Sequence, residues 1–277
     1  MSESPTAIPQ GSWVLVTGAN GYSGSHVVME LLKQGFNVRG TVRNLEYSQW
    51  LLNHPSVKPF VDQGRVELVL ADTSKPDDFD EAVKGVAAVI HLAIVSDISP
   101  DPDTAIPATV EAALTVCRAA AKAPSVKRFV FSSTFWAAVM PVPGDSSTIT
   151  NLETWNEGMV EAARAPPPYE WSLYYTHVFD VATIYVAATI DPDVKGSRIQ
   201  ALAGSLNWND CLAIMRTAYP TVEFPEDFVP GNPTLTYKIE QDIALGLLQK
   251  WGGRDWISPE RSITEIIDFC KQQGTLD

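Results

Sequence analysis

Basic residues are scarce in this chain of 277 residues: 20 Lys and Arg stand against 33 Asp and Glu, a formal net charge of −13. That balance repels polyanions and argues against a nucleic-acid partner. Cysteine is scarcer still. Cys117, Cys211 and Cys270 are widely spaced, odd in number and contain no Cys-x-x-Cys. A metal site is therefore not expected, and a reducing cytoplasm is. Cys117 lies in an Ala-rich helical stretch and reads as a small buried hydrophobe. Long apolar runs are missing too: Val86 to Val95 is strand-sized, too short to span a membrane. The first ten residues are polar and interrupted by proline, with no basic segment leading into an apolar core, so no signal peptide is expected. Internal repeats and low-complexity tracts are absent as well, and no lysine occurs between Lys127 and Lys195.

What the chain does have is a glycine turn. Val14 to Gly24 reads Val-Leu-Val-Thr-Gly-Ala-Asn-Gly-Tyr-Ser-Gly, an apolar strand entering a turn with Gly18, Gly21 and Gly24 at every third position. Such a turn brings backbone N–H groups against a pyrophosphate and aims the next helix's N-terminus at it. Gly18 suits the tight turn, Gly21 the close approach of backbone to phosphate, and Gly24 close packing of helix on strand. Thr17, Asn20 and Tyr22 share this segment and join the candidate cofactor contacts.

Strand and helix patterns alternate from there. Trp13–Thr17, Asn37–Val42, Val66–Leu70, Ala87–Ala93 and Arg128–Ser132 read as strands. Gly24–Gln34, Tyr47–Asn53, Asp77–Lys84 and Thr109–Ala123 read as helices. This alternation predicts an α/β fold, a doubly wound parallel sheet covered on both faces. Ligands of such sheets bind outside the carboxyl ends of the strands, where Gly18, Arg43, Asp72, Ala93 and Ser132 fall. From Met140 to Pro168 the texture is loop-rich, with a short helical stretch near Glu157–Arg164. Helical patterns then cover Thr176–Ile190, Asn209–Tyr219, Ile239–Trp251 and Ser262–Gln273. The expected division is a nucleotide-binding domain over 11–150 and a smaller, mainly helical lobe over 151–277 that walls a substrate pocket.

The second strand ends Arg39-Gly40-Thr41-Val42-Arg43-Asn44. Arg43 stands where an NAD site usually carries an acid for the ribose hydroxyl, and a guanidinium there pairs with the 2′-phosphate of NADP. A solvated strand-end arginine is the plainer reading. Asp72, followed by Thr73, either accepts from the adenine amino group or caps the Pro76–Asp80 turn. His91, within a buried strand, reads as a hydrogen-bonded core histidine.

Thr17–Gly24, Val38–Arg43, Asp72, His91-Leu92-Ala93 and Phe131-Ser132-Ser133-Thr134 together resemble the extended short-chain dehydrogenase/reductase superfamily. The likeness is to its dihydroflavonol reductase-like group, particularly fungal aldehyde and ketone reductases. Asp180-Val181-Ala182, Gly196-Ser197-Arg198, Trp208-Asn209, Tyr219-Pro220, Phe224-Pro225 and Trp256 echo the same group. The resemblance implies a Rossmann fold, NADP(H) as cofactor with Leu92, Ala93 and Ser132 beside it, and reduction of a small carbonyl compound in secondary metabolism. It also implies a Ser or Thr that holds the carbonyl, a Tyr that donates the proton, and a Lys four residues after that Tyr.

Thr134 or Ser133 matches the first role. No tyrosine has lysine four residues later, Tyr169, Tyr174 and Tyr175 included. Several dozen residues, the Tyr-x-x-x-Lys helix among them, are expected to be missing between about Asn151 and Leu173. Tyr174, Tyr175 or His177 then stands as substitute acid, against plain readings as packing tyrosines and a surface histidine. The alternatives are a non-redox isomerase, cyclase or dehydratase with an aromatic pocket of Trp136, Trp155, Trp171 and Tyr175, or a catalytically silent NADP-binding protein.

Overall fold

Trp13–Thr17 (β1) is the centre of the sheet because both its faces are apolar: Val14, Leu15 and Val16 are fully buried. In the computed structural model, which describes residues 5–94, 101–139, 149–151, 153–156, 173–228 and 238–274, β1 pairs in parallel with Asn37–Val42 (β2) on one side and Ala88–His91 (β4) on the other. Val66–Leu70 (β3) extends the sheet beyond β2 and Arg128–Phe131 (β5) beyond β4. The order β3-β2-β1-β4-β5 reverses direction between β1 and β4, which opens a ligand crevice at the carboxyl ends of those strands.

The connecting helices are Tyr22–Lys33 (α1), the short Gln49–Asn53 (α2) and Lys58–Val61 (α3), Pro76–Ala82 (α4) and Pro102–Lys122 (α5). Leu15 and Val89 point to the face covered by α4 and α5, where they meet Phe79, Val83, Val116 and Ala119. Alternate residues such as Val14, Val16 and Ile90 are buried on the other face. α5 begins seven residues earlier than the periodic pattern from Thr109 implied. Asp101 caps it by accepting from the Asp103 N–H, Pro102 takes the first helical position, and the helix continues through Pro107.

Two compact units make up the chain, each discontinuous in sequence. The first comprises Met1–Ser133 and Ala182–Gly196, the second Thr134–Val181 and Ser197–Asp277, where the sequence pattern had suggested a division at 150/151. Within the first unit, the Ala7 N–H donates to the Ile190 carbonyl, and Arg128 donates to the carbonyls of Asp191 and Val194. These bonds fasten the returning segment to the sheet unit.

Among its described residues the second unit carries two small strand pairs, Ile149–Thr150 parallel with Lys238–Ile239 and Leu173–Tyr175 antiparallel with Gly204–Leu206. Its helices are Trp208–Ala218, Asp242–Leu247 and Pro259–Gln272, and the helix Val178–Ile190 starts here and ends in the first unit. The single helix read over Ile239–Trp251 is instead a strand end, a short α-helix and a π-turn over Leu248–Gly252. Gly253 stops it at φ 66°, a left-handed angle that suits glycine. The helical stretch expected near Glu157–Arg164, together with Tyr169 and Trp171, lies outside the described residues. Among the described residues no helix is long and apolar enough to cross a membrane.

Candidate functional site

Gly18 leaves β1 at φ 66°, a backbone angle that costs a residue with a Cβ about 1–2 kcal/mol. A Cβ on Gly24 would collide with the Gly18 carbonyl oxygen, so the first turn of α1 packs directly on the glycine turn. Gly21 is the N-cap of α1, and no side chain caps that end. The N–H groups of Tyr22, Ser23 and Gly24 precede the first intrahelical bond, which runs from the Ser25 N–H to the Gly21 carbonyl. Gly21 and Tyr22 are exposed there, Tyr22 at 69%. An uncapped helix N-terminus with an open glycine approach fits a dinucleotide pyrophosphate.

Asn20 ties this turn to the segment after β2. Its side-chain amide donates to Ser48 Oγ at 2.9 Å, Ser48 Oγ–H donates to the Asn44 carbonyl at 2.6 Å, and Asn44 Oδ1 accepts from the Tyr47 N–H. Arg43, exposed, immediately precedes that segment. Its positive charge also reaches Asp72 and helps to hold the Asp72 carboxyl below the usual range. The larger causes there are the hydrogen bonds from the Ser74 N–H and hydroxyl to Asp72 Oδ1. Asp72 therefore forms a local turn after β3. It does not cap α4, whose N-cap is Lys75; its own N–H donates to Asp78 Oδ2. Thr73 follows it, half-buried.

Thr17 organises the end of β4. Its Oγ accepts from the N–H groups of Leu92 and Ala93 at 3.0 and 2.9 Å, so its own proton goes to His91 Nδ1 at 2.8 Å. That assigns the His91 proton to Nε2. Burial depresses the His91 pKa to about 4, and the ring lies against Phe129 and Phe131. His91 is thus a neutral core histidine, and Ala93 lies 3.4 Å from where a Gly18 Cβ would stand.

One step past β5, the Ser132 N–H donates to the His91 carbonyl, and Ser132 Oγ lies 2.5 Å from Tyr185 Oη. Both residues belong to the first unit. Tyr185 was not among the sequence candidates. The signal was there: it is a phenol on the helix Val178–Ile190, whose other residues are mostly apolar, and a half-buried phenol seeks a partner. Burial raises its pKa and the Ser132 hydrogen bond partly lowers it.

The remaining candidates behave differently. Ser133 is exposed. Thr134 caps the short turn Phe135–Ala137, its hydroxyl accepting from the Trp136 N–H at 3.5 Å. Tyr175 packs over Gly204, where a Cβ would come within 2.9 Å of its ring; burial, then the charges of Glu260 and Asp180, raise its pKa. His177 is buried rather than on the surface. Its Nδ1 accepts from the Phe179 N–H at 3.1 Å, its Nε2 meets Glu265 at 3.0 Å, and its carbonyl accepts from the Asp180 and Val181 N–H groups. Nδ1 thus serves the start of the Val178–Ile190 helix, and Nε2 ties it to the helix Pro259–Gln272. Trp155 is 63% exposed with the Arg198 guanidinium 4.0 Å over its ring. Among the described residues no three His, Cys, Asp or Glu side chains group as metal ligands, and the three cysteines are free thiols.

The model of the NAD dependent epimerase/dehydratase family matches residues 14–157. A ketoreductase, nvfG of Aspergillus novofumigatus, is 36% identical over 328 positions that cover 92% of this chain and 95% of that protein. Aldehyde reductase 2 of Sporidiobolus salmonicolor is 27% identical over 340 positions, covering 94% and 96%. Since this chain has 277 residues, at least 63 of those 340 positions have no counterpart in it. Among solved structures, yeast methylglyoxal/isovaleraldehyde reductase complexed with NADPH superposes with a TM-score of 0.77 at 20% identity, covering 95% of this chain and all of that one. Vestitone reductase from alfalfa gives 0.75 at 19% identity, covering 96% and all of that chain. The glycine turn, the sheet order and these matches together place the chain in the NAD dependent epimerase/dehydratase family.

Proposed function

We propose that this protein is an NADPH-dependent reductase of a carbonyl in a small organic molecule, one belonging to secondary metabolism. The observation that carries the reading is the uncapped N-terminus of α1 behind Gly18, Gly21 and Gly24, held beside Arg43 by the Asn20–Ser48 bond. The N–H groups of Tyr22, Ser23 and Gly24 take the pyrophosphate, Arg43 takes the 2′-phosphate, and Asp72 with Thr73 faces the adenine. Leu92, Ala93 and Ser132 line the nicotinamide end, with Thr17 fixing the Leu92 and Ala93 N–H groups. Bound there, the dihydronicotinamide supplies a hydride. The first compact unit is the cofactor domain and the second the substrate lobe. Thr134 and Ser133 are the candidates to hold the carbonyl oxygen, and the substrate is an apolar or aromatic aldehyde or ketone. The ketoreductase and aldehyde reductase names of the relatives support this reaction class, and three free thiols suit a cytoplasmic location.

The test uses the purified full chain. NADPH binding is followed by cofactor fluorescence, and NADPH oxidation is followed with a panel of aliphatic and aromatic aldehydes and ketones. Binding with turnover of at least one aldehyde or ketone is expected. Binding without any turnover would sink the reductase reading, and no binding would overturn the cofactor assignment.

A further inference from the structure

We propose that Tyr185 is the proton donor of this reduction, acting with Ser132 at the carboxyl end of β5; the inference rests on the reductase reading above. Three observations converge on the pair. Ser132 follows β5 directly and is fastened to β4 through the His91 carbonyl. That places its hydroxyl at the strand ends, on the β4–β5 side of the topological switch, where a ligand of this sheet binds. Tyr185 reaches it at 2.5 Å from a helix otherwise made of Val, Ala, Ile, Thr, Phe and a single Asp. Neither Tyr175 nor His177 offers the same: Tyr175 packs over Gly204, and His177 spends both nitrogens on a helix start and on Glu265. No tyrosine in the chain is followed four residues later by lysine, so the proton must come from a group otherwise placed.

The chemistry balances with these two hydroxyls. As the carbonyl carbon accepts hydride, the C=O π pair moves onto oxygen, and that oxygen takes the proton from Tyr185 Oη. The phenolate left behind recovers a proton from solvent through Ser132 Oγ, which passes its own proton on and takes up another in the same event. Burial keeps Tyr185 protonated well past neutrality, as a donor must be, and the Ser132 hydrogen bond steadies the phenolate while it lasts. Ser132 is its hydrogen-bond partner among the described residues, and no charged group contributes to its shift.

Tyr185→Phe and Ser132→Ala in the full chain test the proposal. Tyr185→Phe is expected to bind NADPH as the wild type does, while turnover of an accepted aldehyde falls roughly 10²–10⁴-fold and the alkaline fall in rate disappears from its pH profile. Without cofactor, ultraviolet titration of tyrosinate should lose one high-pH step in Tyr185→Phe. Ser132→Ala should move that step, and the alkaline limb of the rate, to higher pH. Unchanged turnover and an unchanged pH profile in Tyr185→Phe would overturn the proposal and leave the reductase reading standing. A wild-type chain that binds NADPH yet reduces nothing overturns both. If Tyr185→Phe does not fold, an unmoved alkaline limb in Ser132→Ala overturns the proposal by itself.

Discussion

Cofactor choice is decided at single residues. A 2′-phosphate needs a fixed positive charge within reach of the ribose, and in a chain of net charge −13 that charge must be local. Arg43 follows β2 and leads into the segment that Ser48 and Asn20 hold to the glycine turn. A charge-assisted hydrogen bond is worth about 1.5–3 kcal/mol. Arg43→Asp should therefore weaken NADPH binding by roughly 10- to 100-fold or more and change NADH affinity little, measured by cofactor fluorescence titration. Equal loss for both cofactors would remove Arg43 from the 2′-phosphate. The place of Arg43 directly after β2 was legible because strand and turn fix it in sequence. Tyr185 was not, because its partner Ser132 is 53 positions away and only the fold joins them.

At the scale of elements, the helix Val178–Ile190 shows how a largely apolar segment acquires a defined start. His177 bonds the Phe179 N–H, and Asp180, fully buried in the first turn, accepts from the Ile257 N–H at 2.9 Å and pairs with Arg254. A carboxylate is favourable at a helix N-terminus, and this one also anchors the chain before Pro259–Gln272. Asp180→Ala would orphan a buried N–H and take the carboxylate partner from an arginine that is only 30% exposed. A loss of about 2–4 kcal/mol in unfolding free energy is expected, read from urea denaturation; a loss under about 0.5 kcal/mol, the range of neutral surface changes, would count against this role. The sequence pattern located this helix and β1, β2 and β3 closely, since buried strands and periodic helices write their own signals. It misplaced the start of α5, because Pro107 reads as a boundary, and gave no sign of the two-residue strands, which are set by distant pairing.

The whole molecule responds to acid through opposing terms. Lowering pH toward the isoelectric point near 4.7 sheds net negative charge and relieves self-repulsion. His91 works the other way. Its folded pKa of about 4 lies below the ordinary 6.5, so the unfolded chain takes up a proton first. The contribution is fully present above pH 6.5 and is lost as pH falls toward about 4, up to about 3 kcal/mol in all. Unfolding free energies of wild type and His91→Gln, compared across that window, should differ in slope, with the wild type the steeper. Parallel curves would mean that His91 is not held neutral by the fold.

The sequence by itself determined the parallel α/β architecture, the glycine turn, the arginine after β2 and the absence of a Tyr-x-x-x-Lys pair. All of these are local patterns, legible because neighbouring residues share one strand, turn or helix. The tertiary structure decided which hydroxyls meet and which candidates are spent on structure. It gave His177 to a helix start and to Glu265, and it brought Tyr185 to Ser132. Such pairings depend on how segments far apart in the chain pack, and no spacing along the sequence encodes a 2.5 Å contact between them.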